Sequence, residues 1–131
     1  MAHILLVEDD DILSELLADK LKAAGHRVTV VEDGGDAAAR ACTVMPDLIV
    51  LDCALPTMSG AGVIRALKEQ LPDADIPVIL MSARSSEAYI QDMLLEGATT
   101  YLVKPLNLRR FIETVDHQLT LRRERHERRA A

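Results

Sequence analysis

Residues 4–25 read ILLVEDDDILSELLADKLKAAG, and two periodicities meet inside them. Ile4 to Val7 is a short, continuous apolar run, the pattern of a strand buried on both faces. It stops in four consecutive carboxylates, Glu8, Asp9, Asp10 and Asp11. Beyond them Ile12, Leu13, Leu16, Leu17 and Leu21 recur at helical intervals on one face, and Gly25 stands where such a helix closes. The stretch is a strand and a helix with an acidic joint.

The same unit recurs along the chain. Val28 to Val31, Leu48 to Leu51, Val78 to Met81 and Tyr101 to Val103 are further apolar runs, bounded by charge, Gly or Pro, and read as sheet-centre strands. Between them, Asp36 to Met45 is Ala-rich and ends at Pro46. Val63, Ile64, Leu67 and Leu71 precede Pro72, and Ile90, Met93 and Leu94 precede Gly97. Asn107 is suited to cap a last helix whose buried stripe is Leu108, Phe111, Ile112, Val115 and Leu119. Strict alternation predicts parallel strands joined by right-handed crossovers, with helices on both faces. A closed eightfold barrel needs about 250 residues, and the chain has 131. The expected fold is therefore α/β, an open, doubly wound, five-stranded parallel sheet, with its ligands outside the carboxyl ends of the strands.

Composition narrows the function. Apolar residues make up 49% and charged residues 27%, the balance of a folded single domain, while aromatics are only 2%, so Leu, Ile, Val, Ala and Met must build the core. No apolar run approaches the 18 or so residues of a membrane span and no signal peptide opens the chain, which predicts a cytoplasmic protein without a membrane partner. Cys42 and Cys53 are isolated and the four histidines lack metal-ligand spacing, so neither a disulfide framework nor a zinc site is expected. The net charge of −6 is uneven: residues 1–121 carry 19 acids against 10 bases, whereas 122–131 carry five Arg against two Glu. We expect a domain over 1–121 that repels nucleic acid, and a basic helical tail over 122–131. The tail also suits a linker to an output domain or a contact for an acidic partner.

Chemistry collects where the runs end. The first run ends in Glu8 and Asp9, the third is followed by Asp52, the fourth by Ser82 and the fifth by Lys104. On a parallel sheet these residues share one edge. Two unit charges about 4 Å apart repel by roughly 1 kcal/mol in water and about 4 at a partly shielded surface, so the acids call for a cation. Oxygen-only donors suit a hard ion such as Mg²⁺, while Asp10 and Asp11 suit the first turn of the next helix. Each residue alone has a plain explanation: a solvated acidic cap, a turn hydroxyl at Ser82, a surface lysine before Pro105. Their coincidence at matching strand ends favours a site.

VEDDD at 7–11, LIVLDCALPTMSG at 48–60, VILMSA at 78–83 and TTYLVKP at 99–105 carry a resemblance. In order and spacing they are similar to the receiver domain of two-component response regulators, the CheY-like family, over residues 3–119. The resemblance implies a (βα)5 flavodoxin-like sheet of strand order 2-1-3-4-5. It implies a phosphoacceptor at Asp52, Mg²⁺ held by Glu8, Asp9, Asp52 and the backbone carbonyl of Ala54, and a lysine at Lys104 for a phosphoryl oxygen. Ser82 matches the switch hydroxyl, Tyr101 the switch aromatic, and Pro56 and Gly60 the loop after the acceptor. The implied donor is a phosphohistidine on a histidine kinase or a histidine phosphotransfer protein. The implied listener is a downstream protein target or output domain, with homodimer formation left open and no direct nucleic-acid contact expected. Such a chain is a signalling phosphoacceptor and not an enzyme in the ordinary sense.

The chain departs from the pattern in places. Leu106 stands where the family often has Phe, and Ala54 and Arg84 occupy positions that help set dephosphorylation rate. Ala54 cannot orient a water and Arg84 is long enough to shield the phosphoryl group, so slow self-hydrolysis is expected. By strand alternation Cys53 should turn away from Asp52 into the core and be inert. Other readings remain. A haloacid-dehalogenase-like phosphatase wants a second Asp where this chain has Ala54, and a nucleotide or flavin site wants a Gly-rich or hydroxyl-rich loop where it has four acids. A degenerate receiver, binding partners without phosphorylation, is the alternative kept.

Overall fold

The computed structural model describes residues 2–130. Strands β1 (His3–Val7), β2 (Arg27–Val31), β3 (Leu48–Asp52), β4 (Val78–Ser82) and β5 (Thr100–Val103) alternate with helices α1 (Asp11–Ala23), α2 (Gly34–Val44), α3 (Gly60–Gln70), α4 (Glu87–Glu96) and α5 (Leu108–Ala130). The strands form one parallel sheet in the order β2-β1-β3-β4-β5, the order the resemblance implies.

Side chains that alternate along the strands feed two apolar layers. Leu5, Val7, Ile49, Leu51 and Leu80 pack with Val63, Ile64 and Met93 on one face. Ile4, Leu6, Val50, Ile79 and Met81 pack with Leu17, Leu21, Phe111 and Val115 on the other. Because β1, β3 and β4 are covered on both sides, their apolar runs are continuous. The expectation of five sheet-centre strands holds only for these three. β2 and β5 are the edges, with Arg27, Val30 and Val103 exposed, since an edge strand has a neighbour on one side only.

Helix ends are set by local polar groups. The Asp10 carboxylate accepts from the Leu13 N–H and caps α1, with Asp11 in its first turn, as the sequence predicts. Asp33, Ser59 and Ser86 cap α2, α3 and α4 in the same way. Two helices bury less than their spacing promises. In α1, Leu17 and Leu21 are fully buried, but Ile12 is 82% exposed and Leu16 41%. In α4 only Met93 is buried, while Ile90 is half-buried and Leu94 is 36% exposed. None of the described helices is long and apolar enough to cross a membrane.

Helix α5 begins at its predicted cap, where Asn107 accepts from the Arg110 N–H, and runs through the basic segment without a break. Arg122 and Arg125, one turn apart, both face the body. Arg122 donates to the Asp47 carboxylate at 3.0 Å and to the Asp75 carbonyl at 2.8 Å. Arg125 forks onto the Asp75 carboxylate at 2.8 and 3.3 Å, and Arg129 lies 3.7 Å from the same group. Three arginines thus fasten the end of α5 under the sheet.

The Arg125 fork holds the Asp75 carboxyl below its ordinary range. A depressed carboxyl contributes stability above its unfolded-state value, near pH 4, and loses it as pH falls through the folded-state value. Asp75→Ala should cost about 1 kcal/mol, a factor of about five in local opening. Amide exchange should therefore quicken over residues 122–130 and not in β1, β3 or β4, and acid below about pH 4 should do the same to the wild type. Unchanged exchange in the variant would mean that the arginines do not hold the helix.

Candidate functional site

Register builds the site. Val7 pairs with Leu51, so Glu8 and Asp52 leave the sheet side by side at the carboxyl ends of β1 and β3. Lys104 leaves the end of β5 and reaches across β4. Its Nζ donates to Asp52 Oδ1 at 3.1 Å and lies 3.6 Å from Glu8 Oε1. The Lys104 N–H is tied to the Ser82 carbonyl at 2.7 Å, and the Lys104–Pro105 peptide bond is cis. Carboxylate oxygens of Glu8, Asp9 and Asp52 lie within 4.8 Å of one another. Glu8 is 1% exposed and Asp52 3%, whereas Asp9 is at the surface.

The electrostatics of this cluster are unbalanced. Burial first, and then the facing Asp52, push the Glu8 carboxyl up to about 7. Burial alone would lower the Lys104 ammonium, but its bond to Asp52 and the charges of Asp52 and Glu8 outweigh that and raise it. Lys104 therefore stays protonated, one positive charge among three carboxylates. Glu8 Oε1 is buried with no hydrogen-bond partner among the described residues, an expensive state for an acceptor. An all-oxygen donor set with a buried oxygen that accepts no hydrogen bond fits a hard divalent cation.

Of the remaining predicted residues, Ala54 and Ser82 line one groove, and Tyr101 stands apart from it, tied to that wall through Arg84. Ala54 is exposed and its N–H donates to Asp52 Oδ1 at 3.3 Å. Ser82 is buried, and its Oγ accepts from the Arg84 N–H at 3.1 Å. Tyr101 is half-buried, and its hydroxyl donates to the Arg84 carbonyl at 2.7 Å. An open groove of about 530 Å³ runs beside the end of β3, with Cys53, Ala54 and Pro56 on one wall and Ser82, Arg84 and Tyr89 on the other. Its first wall is pinned where the Thr57 hydroxyl donates to Asp33, the cap of α2. It is also tightly packed: a Cβ on Gly60 would sit 3.1 Å from Cys53 Sγ and 3.3 Å from Leu80.

Cys53 departs from expectation. It turns from Asp52 against the core, as alternation predicts, but it is only half-buried, and its Sγ is in contact with the Tyr89 hydroxyl. Sequence reasoning missed Tyr89 itself. The signal available was rarity, since the chain has two Tyr, one Phe and no Trp.

Known proteins share both sequence and fold with this chain. The family model of the response regulator receiver domain matches residues 4–116. The DNA-binding dual master transcriptional regulator RpaA of Synechocystis is 36% identical over 118 residues, 88% of this chain and 48% of its own. The transcriptional regulatory protein PrrA of Mycobacterium leprae is 37% identical over 113 residues, 86% of this chain and 48% of its own. The chain spans about half the length of these curated relatives. Chemotaxis protein CheY4 of Vibrio cholerae superposes with a TM-score of 0.83 at 29% identity, covering 89% of this chain and 98% of that one. With the parallel sheet and its acidic strand ends, this match over most of the chain places it in the response regulator receiver domain family.

Proposed function

We propose that this receiver domain takes a phosphoryl group from a phosphohistidine onto Asp52 and relays the event by a change of surface. The observation that carries the reading is the contact of Lys104 with both Asp52 and Glu8, which gathers the ends of three strands into one polar cluster. Glu8, Asp9, Asp52 and the Ala54 carbonyl would hold Mg²⁺. When bound, that ion supplies positive charge to the phosphoryl oxygens.

Phosphoryl transfer asks a protein mainly for positioning and for charge stabilisation. An Asp52 oxygen is the nucleophile, held by the Ala54 N–H and by Lys104, and the Lys104 ammonium then turns to an oxygen of the incoming group. The electron pair of the broken P–N bond stays with the donor imidazole. A hydroxyl at Ser82 would move towards the phosphoryl group, loosening its tie to the Arg84 N–H, while Tyr101 is held by the carbonyl of the same residue. Ser82 and Tyr101 are thus coupled through one peptide segment, and the output is a population shift of the face made by α4, β5 and α5. A shift from 1:99 to 99:1 needs about 5.5 kcal/mol of differential interaction, so a partial shift suffices.

The donor is a histidine kinase or a histidine phosphotransfer protein, and the listener is a downstream protein or an output domain, with a homodimer as one form of output. In this reading residues 1–121 are the receiver body and 122–131 a basic extension of it. Direct nucleic-acid binding is no part of it, because three of the extension's five arginines are engaged by Asp47 and Asp75. The protein works in the cytoplasm, where its donors are.

Incubation with acetyl phosphate and Mg²⁺ should add about 80 Da, one phosphoryl group, and EDTA or Asp52→Asn should abolish the gain. No adduct even at short times would favour a receiver that binds its partners without phosphorylation. In Glu8→Gln the repulsion at the strand ends is relieved. At pH 8 in EDTA its Tm should rise, by roughly 4 °C for each 1 kcal/mol recovered, while the stabilisation by added Mg²⁺ disappears. A lower Tm in EDTA would show that the acids are not in conflict. In Ala54→Asn an amide can orient a water, so the phosphorylated form should decay several-fold faster, by about 1 kcal/mol of barrier; an equal lifetime would remove Ala54 from the account of slow hydrolysis.

A further inference from the structure

Three contacts converge on Tyr89, a residue outside the family motifs. Its hydroxyl meets Cys53 Sγ, one residue from the acceptor. Its ring meets Tyr101 edge to face, with centroids 6.2 Å apart at 82°. Its open face carries the Arg84 guanidinium, 3.7 Å from the ring centroid. The Tyr89 N–H donates to the Ser86 hydroxyl that caps α4, which fixes the backbone from which the ring projects.

Cys53 meets the ring at its hydroxyl, Tyr101 packs perpendicular to it, and Arg84 lies over a face. Burial first, and then the bond to Cys53, push the Tyr89 phenol up to about 12, so the platform stays neutral at any working pH. The attraction of a guanidinium to such a face is modest but directional. Arg84 is free to be steered, because it is exposed and the structure gives its guanidinium no carboxylate partner among the described residues.

We propose that Tyr89 is a positioning residue: it holds the Arg84 guanidinium against one wall of the groove that Ala54 and Ser82 also line, where it restricts the approach of water to the phosphorylated carboxylate of Asp52. The inference rests on Asp52 as the acceptor. In the step it slows, water adds to phosphorus and the P–O bond to Asp52 breaks with its electron pair remaining on the carboxylate. Inorganic phosphate leaves and the proton passes to solvent. Tyr89 touches none of the reacting atoms and acts only through where it keeps Arg84.

The test is the half-life of the adduct, read by intact mass after removal of acetyl phosphate, in Mg²⁺ at pH 7.5. Arg84→Ala and Tyr89→Leu should each shorten it by about threefold, the scale of a partly exposed cation–π contact. The double variant should be no shorter-lived than either single one. Tyr89→Phe keeps the ring and loses the hydroxyl, and should restore the wild-type half-life, which a general loosening of α4 would not do. Tyr89→Met, which fills similar space without a ring face, repeats the Leu test if that variant does not fold. An unchanged half-life in the ringless variants, or a double variant that multiplies the two single effects, would overturn the role of Tyr89. Absence of any adduct in the wild type would overturn the Asp52 reading itself, a distinct result.

Discussion

One ammonium among three carboxylates sets the terms for the carboxyl edge of this sheet. Glu8 and Asp52 are almost fully buried, and Lys104, within 4 Å of both, is the only cation paired with either among the described residues. Buried charges of one sign are tolerated only when paired and hydrogen-bonded, and here the pairing is incomplete. The cost falls on a scaffold able to carry it. β1 and β3 sit at the centre of the sheet with every apolar side chain from Ile4 to Val7 and from Leu48 to Leu51 withdrawn from water. A strained polar cluster at the end of two such strands cannot relax by fraying, because each is flanked on both sides by hydrogen-bonded neighbours. What remains is to bind positive charge.

The same logic explains which parts of the fold were legible in the sequence. β1, β3 and β4 are covered on both faces, so composition alone marked them, and the acids and hydroxyl that end them, with the lysine that ends β5, came into view once the strands were taken as parallel. Asp10 was legible as a cap because its role is local, spanning three residues. Edges were not legible, since β2 and β5 carry the same apolar residues as the interior and differ only in having one neighbour. Ile12 and Leu16 follow the helical period of a buried stripe yet stand in water. Periodicity reports that a face exists and says nothing about how far the sheet beneath it extends.

Long-range polar contacts were the other blind spot. Arg122 meets Asp47 across 75 positions and Arg125 meets Asp75 across 50. In sequence these are a basic tail and scattered acids, and the tail's charge reads as available for an external partner. In space much of it is answered from within, so net charge by segment overstated what the extension offers. Tyr89 belongs to the same class: its partners Cys53, Arg84 and Tyr101 come from three separate segments, and its place in the first turn of α4 brings the ring among them.

Arg84 ties these layers together. Its N–H donates to Ser82, its carbonyl accepts from Tyr101, and its guanidinium rests on Tyr89. The two backbone bonds belong to adjoining peptide units joined at the Arg84 Cα, so a displacement of that residue moves both. In the proposed switch, drawing Ser82 towards a phosphoryl group therefore disturbs the carbonyl that holds Tyr101. The same movement shifts the point from which the guanidinium reaches its platform. Lifetime and output would then draw on one segment, and a substitution that stabilises the Arg84 stack should also bias where Tyr101 rests. That coupling needs no wire through the protein, only a residue whose main chain and side chain serve different neighbours.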